Sequence, residues 1–338
     1  MTRHDHDHGH EHNHALWERV RGVFAPHSHD AAVSVDGALE TSERGIHALR
    51  VSLLALGLTA VLQAVLVVWT GSVALLGDTL HNFADALTAL PLWLAFTLGR
   101  RPPNRRYTYG YGRAEDLAGI FIVVVIAASA LVAGYESARR LLDPRDVEHV
   151  ALIGLAGVIG FAGNELVARY RIRVGQEIGS AALVADGLHA RTDGFTSLAV
   201  VLGAVGVALG WQRADPVVGL LITGAILVVL RTAARDIYRR LMDAVDPALV
   251  EAVETSLRSV PDIIDIGWVR VRWLGHQLRA EADVVVDADL TVVEGHAIAE
   301  AAEHALLHDV PRLSAATIHA DPDSTDGRDH HSGVRHHR

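Results

Sequence analysis

The 338-residue sequence contains no cysteine. That excludes a disulfide framework and any thiolate metal site, so a bound metal would have to be held by His, Asp, Glu or backbone oxygen. Charged residues are scarce as well, at 21% against 50% apolar, and the mean hydropathy is +0.24. This balance points to an integral membrane protein with soluble parts. The formal charge of −10 says little alone, because the placement of the charges matters more than their sum. No cleavable signal peptide is expected, since the N-terminus is polar and His-rich without the usual apolar core. Thr2 after Met1 excludes N-myristoylation. No kinase, cyclase or DNA-binding signature is visible, so nucleic acid is not an expected partner. The apolar segments contain no H-E-x-x-H pattern, which argues against a membrane hydrolase with a glutamate base. They also hold too few His and Glu for di-iron boxes.

What the chain does have is 21 histidines and an internal repeat. Residues 71–90 read GSVALLGDTLHNFADALTAL, and residues 179–198 read GSAALVADGLHARTDGFTSL. Ten of the twenty aligned positions are identical, among them Asp78/Asp186, His81/His189 and Asp85/Asp193. Both copies lie in long apolar segments, where ionisable side chains are costly and mark function. On a helix, positions i and i+4 share a face with Cβ atoms about 5–6 Å apart. His81 with Asp85, and His189 with Asp193, can each aim an imidazole and a carboxylate at one point. Two such helices side by side supply two nitrogens and two oxygens, a set that suits tetrahedral Zn²⁺. Asp78 and Asp186 lie one turn earlier, placed to orient a metal-bound histidine or to relay protons.

Six segments are long enough to span about 30 Å of hydrocarbon: residues 46–69, 73–98, 114–137, 150–170, 178–209 and 217–234. The fourth carries Asn164 and Glu165. Glu165 reads equally as an interior proton carrier or as a group snorkelling toward Arg169. Arginines cluster after the second segment (Arg100, Arg101, Arg105, Arg106, Arg113), after the fourth (Arg169, Arg171, Arg173) and at the end of the sixth (Arg231, Arg235, Arg239, Arg240). With alternating spans these fall on one side, joined by both termini, and that side is expected to be the cytoplasm. Arg139, Arg140 and Arg145 fall on the other side without reversing the balance. Trp69 and Trp211 stand where interface anchors would.

After Met242 the pattern changes. Residues 247–260 form an amphipathic helix pattern. Residues 263–273 and 278–286 alternate as strands joined through Gly275. Residues 291–307 form a second helix that Asp289 or Thr291 can cap, with Glu294 able to close the box, and 315–320 a short third strand. The order αββαβ implies a small α+β domain with helices on one face of a sheet. At about eighty residues such a domain gains from pairing with a second copy. The expected organisation is a His-rich, disordered tail over 1–43, a six-helix membrane domain over 44–240, an α+β domain over 241–322 and a disordered, His-bearing tail over 323–338. The N-terminal tail, HDHDHGHEHNH, also has the composition of a weak metal binder.

Together, GDTLHNFAD at 77–85, RYTYGYGRAEDLAG at 106–119, GNE at 163–165, SAALVADGLHARTDG at 180–194 and IHADP at 318–322 resemble the cation diffusion facilitator family of divalent-metal transporters. The resemblance covers roughly residues 44–322. It implies a homodimer with six membrane helices per subunit and a cytoplasmic αββαβ domain of ferredoxin-like, metallochaperone type. It implies metal export from the cytoplasm coupled to inward proton movement, in the cell (inner) membrane. By the same resemblance the transport site falls on His81, Asp85, His189 and Asp193, and the two-His, two-Asp set resembles the zinc members. Zn²⁺ is therefore the expected substrate, with Cd²⁺, Co²⁺ or Ni²⁺ also compatible with the ligands. A second metal site that some members carry in the loop after the second span has Tyr107 and Tyr111 at its places here, so its absence is expected. A further site in the cytoplasmic domain maps to His296, His319 and Asp321. Family histidines in the first two strands correspond to Trp268 and to the vicinity of Ala282, and His276 in the strand turn is the expected compensation. No enzymatic activity is expected. The alternatives are a membrane-bound metal sensor or a metalloenzyme, from which vectorial metal flux distinguishes a transporter.

Overall fold

The computed structural model describes residues 29–70, 89–142, 150–211, 213–324, 333 and 336. Among these, six helices precede the C-terminal domain: α1 (His29–Thr70), α2 (Ala89–Gly99), α3 (Arg113–Leu142), α4 (Val150–Ile178), α5 (Ala181–Ala208) and α6 (Ala214–Leu241). Residues 71–88, with the first copy of the repeat and its Asp78, His81 and Asp85, lie outside the described residues.

Three helical stretches are long and apolar enough to cross a membrane by length and composition, Thr41–Val65 in α1, all of α3, and Pro216–Leu241 in α6. They leave large apolar side chains such as Leu54, Leu58, Leu131, Val132, Leu221 and Val228 exposed, the surface a lipid-facing helix presents. Helices α4 and α5, of 29 and 28 residues, are long enough to span at 1.5 Å per residue. Their polar side chains are turned inward instead: Asn164, Arg171, Asp186, His189, Thr192 and Asp193 are all buried. The two helices pack closely through small residues, as membrane helices do. A Cβ on Gly187 would lie 2.9 Å from the backbone nitrogen of Ile172 and 3.1 Å from the carbonyl oxygen of Ala168.

Several boundaries differ from the sequence reading, and two of them change how the chain is read. Helix α4 does not end near Tyr170 in an arginine-bearing loop but runs to Ile178. The reason is Arg171, which points into the bundle and pairs with Asp186 of α5 at 2.9 Å, both side chains no more than 1% exposed. Helix α1 begins at His29, so residues 29–43, which composition assigns to the N-terminal tail, are helical. A left-handed Gly179 (φ 77°) closes α4, and Ser180 then caps α5 by accepting from the Leu183 N–H at 3.0 Å.

The C-terminal domain follows as α7 (Pro247–Ser259), β1 (Asp265–Leu274), β2 (Gln277–Val286), α8 (Val292–Asp309) and β3 (Leu313–Pro322). The sheet order is β1-β2-β3, with β1–β2 antiparallel and β2–β3 parallel across the α8 crossover. Asp246 caps α7, and Thr291 with Glu294 forms the expected capping box at α8. One sheet face buries Leu278, Ala280, Ala282, Val284 and Val286 against Val253 and Leu257 of α7 and Ala302 and Leu306 of α8. The alternate side chains of β2 and β3 therefore lie on the opposite face.

The domains are joined at a dense junction beneath the membrane helices. His276, in the β1–β2 turn, is buried against three of them. Its Nδ1 lies 2.9 Å from Glu115 Oε2 of α3, its Nε2 3.2 Å from Ser42 Oγ of α1, and its ring 5.8 Å from that of Phe96 in α2. Arg240 of α6 donates to the Gly275 carbonyl at 2.6 Å and to the Gly179 carbonyl, and its guanidinium lies 4.0 Å from the Trp273 ring centroid. Arg113 pairs with Asp243 at 2.6 Å. Gly275 takes a positive φ of 61°, and a Cβ there would lie 2.9 Å from both Glu115 Oε2 and the Gly112 carbonyl. A side chain at this turn would hold the domains apart.

Candidate metal sites

The second copy of the repeat is folded as one helix, α5. Four residues apart, His189 and Asp193 meet on its buried face, with His189 Nδ1 3.7 Å from Asp193 Oδ1 and side-chain exposures of 1% and 4%. Thr192 Oγ1 donates to the His189 carbonyl and Thr196 Oγ1 to the Asp193 carbonyl, each at 2.7 Å. These bonds occupy the hydroxyls along the helix's own backbone. Asn164 of α4 is also buried, and its Cβ would be 3.4 Å from a Cβ placed on Gly194. A deeply buried imidazole and carboxylate side by side give one nitrogen and one oxygen donor, half of a tetrahedral divalent-metal site. The counterpart residues His81 and Asp85 lie outside the described residues, as does Asp78.

The other intramembrane candidates are engaged in ion pairs. Asp186, one turn before His189, faces Arg171. Glu165 is held by Arg169 at 2.8 Å on its own helix and by Arg191 of α5 at 3.2 Å through two nitrogens. It therefore links α4 to α5 as well as meeting Arg169.

In the C-terminal domain the structure gathers His319 and Asp321 with a residue that sequence reasoning missed, Asp283. Their ligand atoms lie within 4.8 Å of one another, and His319 Nε2 is 2.9 Å from Asp321 Oδ1. Strand pairing explains the grouping. Asp283 of β2 is the register partner of His319 on β3, and Asp321 follows two residues on, on the same face. A clue was present in sequence: Asp283 is an acidic residue inside the apolar run of β2, beside the Ala282 where a family histidine is lost. His276 is not part of this group, because it is bound at the domain junction. His296 stands exposed on α8 and is not part of it either. Trp268, at the other place where the family has histidine, lies under Arg270, with the guanidinium 4.5 Å from the ring centroid. Near the loop after α2, Tyr107 and Tyr111 stack at 4.7 Å, and Tyr111 accepts from Asn104 at 2.7 Å.

Residues 49–242 match the family model described as the cation efflux transmembrane domain, and residues 245–323 match that of the cation efflux protein cytoplasmic domain. The chain belongs to the cation diffusion facilitator family. It is 61% identical to a "Probable cation efflux system protein" of Mycobacterium tuberculosis, over 90% of this chain and 91% of that one. It is 25% identical to the magnetosome protein MamB of Paramagnetospirillum magneticum, over 77% of this chain and 88% of that one. Among solved structures, a nickel form of the MamM CTD is similar at 23% identity, covering 23% of this chain and 99% of that one, with a TM-score of 0.23. The family is one of transporters, and the protein is an integral membrane cation efflux transporter with a helical membrane domain and a small α+β domain.

Proposed function

We propose that the protein exports Zn²⁺ from the cytoplasm in exchange for protons, by alternating access, with His81, Asp85, His189 and Asp193 as the transport site. The observation that carries this reading is the burial of His189 and Asp193 side by side on α5, in the second copy of a sequence that supplies the same pair once more. Imidazole donors favour Zn²⁺ over Mg²⁺ or Mn²⁺, while Co²⁺, Ni²⁺ and Cd²⁺ remain compatible. Metal binds the neutral imidazole, so protons and metal compete for the same nitrogens. A proton reaching His81 or His189 from the outer side helps release the ion, and its loss to the cytoplasm restores the site. Exchange then follows from ligand chemistry, with Asp78, Asp186 and Glu165 shaping the surrounding charge.

The same reading makes the protein a homodimer of the cell (inner) membrane with both termini in the cytoplasm. Asp283, His319 and Asp321 would hold a divalent ion on the open sheet face of the cytoplasmic domain. One imidazole and two carboxylates suit Zn²⁺ and leave a position open. The test of the transport site is Zn²⁺ flux in proteoliposomes for His81→Ala and His189→Ala. Each should abolish flux while leaving helix content and size-exclusion profile unchanged. Normal transport by His189→Ala would overturn the assignment. His81→Asp should admit more Mn²⁺ or Cd²⁺.

A further inference from the structure

Helix α8 carries a second set of metal-binding side chains that the transport reading does not use. His296, Glu300, His304 and His308 recur at every fourth position, and all four are exposed. Residues four apart share one helix face. The His304 and His308 rings are already together, with centroids 4.4 Å apart and planes at 58°. Metal–nitrogen bonds of about 2.0–2.1 Å are reached by two rings at this spacing without unwinding the helix. Ala302 and Leu306, each two residues before one of the pair, are fully buried against the sheet. The dyad therefore faces away from the sheet and from the Asp283–His319–Asp321 face beyond it.

The field around the dyad attracts cations. Helix α8 contains Glu294, Glu300, Glu303 and Asp309 and no lysine or arginine. His308 lies in its last turn, where the negative end of the helix dipole favours positive charge. Asp309 is held in place by Ser256 Oγ, which donates to it at 2.8 Å.

We propose that His304 and His308 form a surface divalent-cation site on the cytoplasmic domain, separate from both the transport site and the Asp283 group. Two imidazoles and an open coordination sphere suit Cu²⁺, Ni²⁺, Zn²⁺ and Co²⁺ rather than Mg²⁺ or Ca²⁺. An exposed, partly coordinated ion exchanges readily, so the site captures cations at the cytoplasmic surface rather than holding the fold together.

The chain has no cysteine, which allows one fluorophore to be placed uniquely. Ala297→Cys lies exposed on the same helix, roughly 10–16 Å along the axis from the dyad. The labelled full-length protein is titrated with Cu²⁺, whose absorption quenches a nearby fluorophore, and then with Zn²⁺, which has no such absorption. Quenching should shift to at least about tenfold higher Cu²⁺ in His304→Ala and in His308→Ala, because each breaks the chelate. It should be unchanged in Glu254→Gln, whose side chain pairs with Arg258 on α7 outside both sites, and excess Zn²⁺ should restore emission. The N-terminal histidines are present in every variant, so differences between variants belong to the dyad. Quenching that survives the double replacement, or single replacements that halve the amplitude without moving the midpoint, would mean an adventitious surface ion only.

Discussion

Removing one charge of the Arg171–Asp186 pair should destabilise the membrane domain far more than removing both. The two groups are 2.9 Å apart with side-chain exposures of 1% and 0%. At an effective dielectric of about 20, unit charges at that distance attract by roughly 6 kcal/mol. Desolvation costs several kcal/mol per ion and offsets most of this gain. Arg171→Met alone leaves Asp186 buried without its partner and should cost about 3–5 kcal/mol, as should Asp186→Leu alone. The double variant buries no charge and should lie within about 1–2 kcal/mol of wild type. Reversible unfolding in detergent, followed by helix content, measures all four proteins and gives the coupling energy directly. If the single variants cost less than about 1 kcal/mol, water reaches the pair and the bundle does not seal it off. If the double variant costs the sum of the singles, the two charges are not coupled.

Other consequences follow from the cytoplasmic half. His276→Ala deletes contacts to α1, α2 and α3 and strands the buried Glu115 carboxylate, at a cost of about 1–3 kcal/mol; amide exchange should rise through the β1–β2 turn and the start of α3, and an unchanged pattern would show that the junction does not depend on this ring. Asp283→Ala should lower metal affinity of the cytoplasmic domain in calorimetric titration of the full chain as much as His319→Ala does, whereas an indifferent Asp283→Ala would remove it from the ligand set. At α8, the backbone N–H of Thr291 and then its hydroxyl donate to Glu294 and hold that carboxyl below the ordinary carboxylate range. Because the folded value is the lower one, the stabilisation is complete above an unfolded value of about 4.3 and fades as pH falls through the folded value. Amide protection in the first turn of α8, taken relative to the intrinsic exchange rate at each pH, should therefore fall on acidification in wild type, and a wild-type response retained by Glu294→Gln would refute the cause.

The order of elements was legible because each rests on a local pattern. The αββαβ order, the Thr291–Glu294 capping box and the i, i+4 placement of His189 and Asp193 all come from periodicity and short spacing. Two residues were misplaced and one missed for a shared reason, namely that their surroundings come from distant parts of the chain. Arg171 looks like a loop arginine until Asp186 of the next helix is seen to neutralise it inside the bundle. Asp283 joins His319 only through the parallel register of β2 and β3, which no local spacing specifies. His276 lies between two strands and resembles a spare ligand, yet its burial is created by α1, α2 and α3 docking onto the turn.

The most direct measurement is Zn²⁺ uptake into proteoliposomes under an imposed pH gradient, with internal pH recorded at the same time, for wild type beside Asp193→Ala. Gradient-dependent uptake with matching proton movement in wild type, both lost in the variant, is the predicted result. Uptake that ignores the gradient, or that persists in Asp193→Ala, would contradict a proton-linked exchange built on the α5 pair.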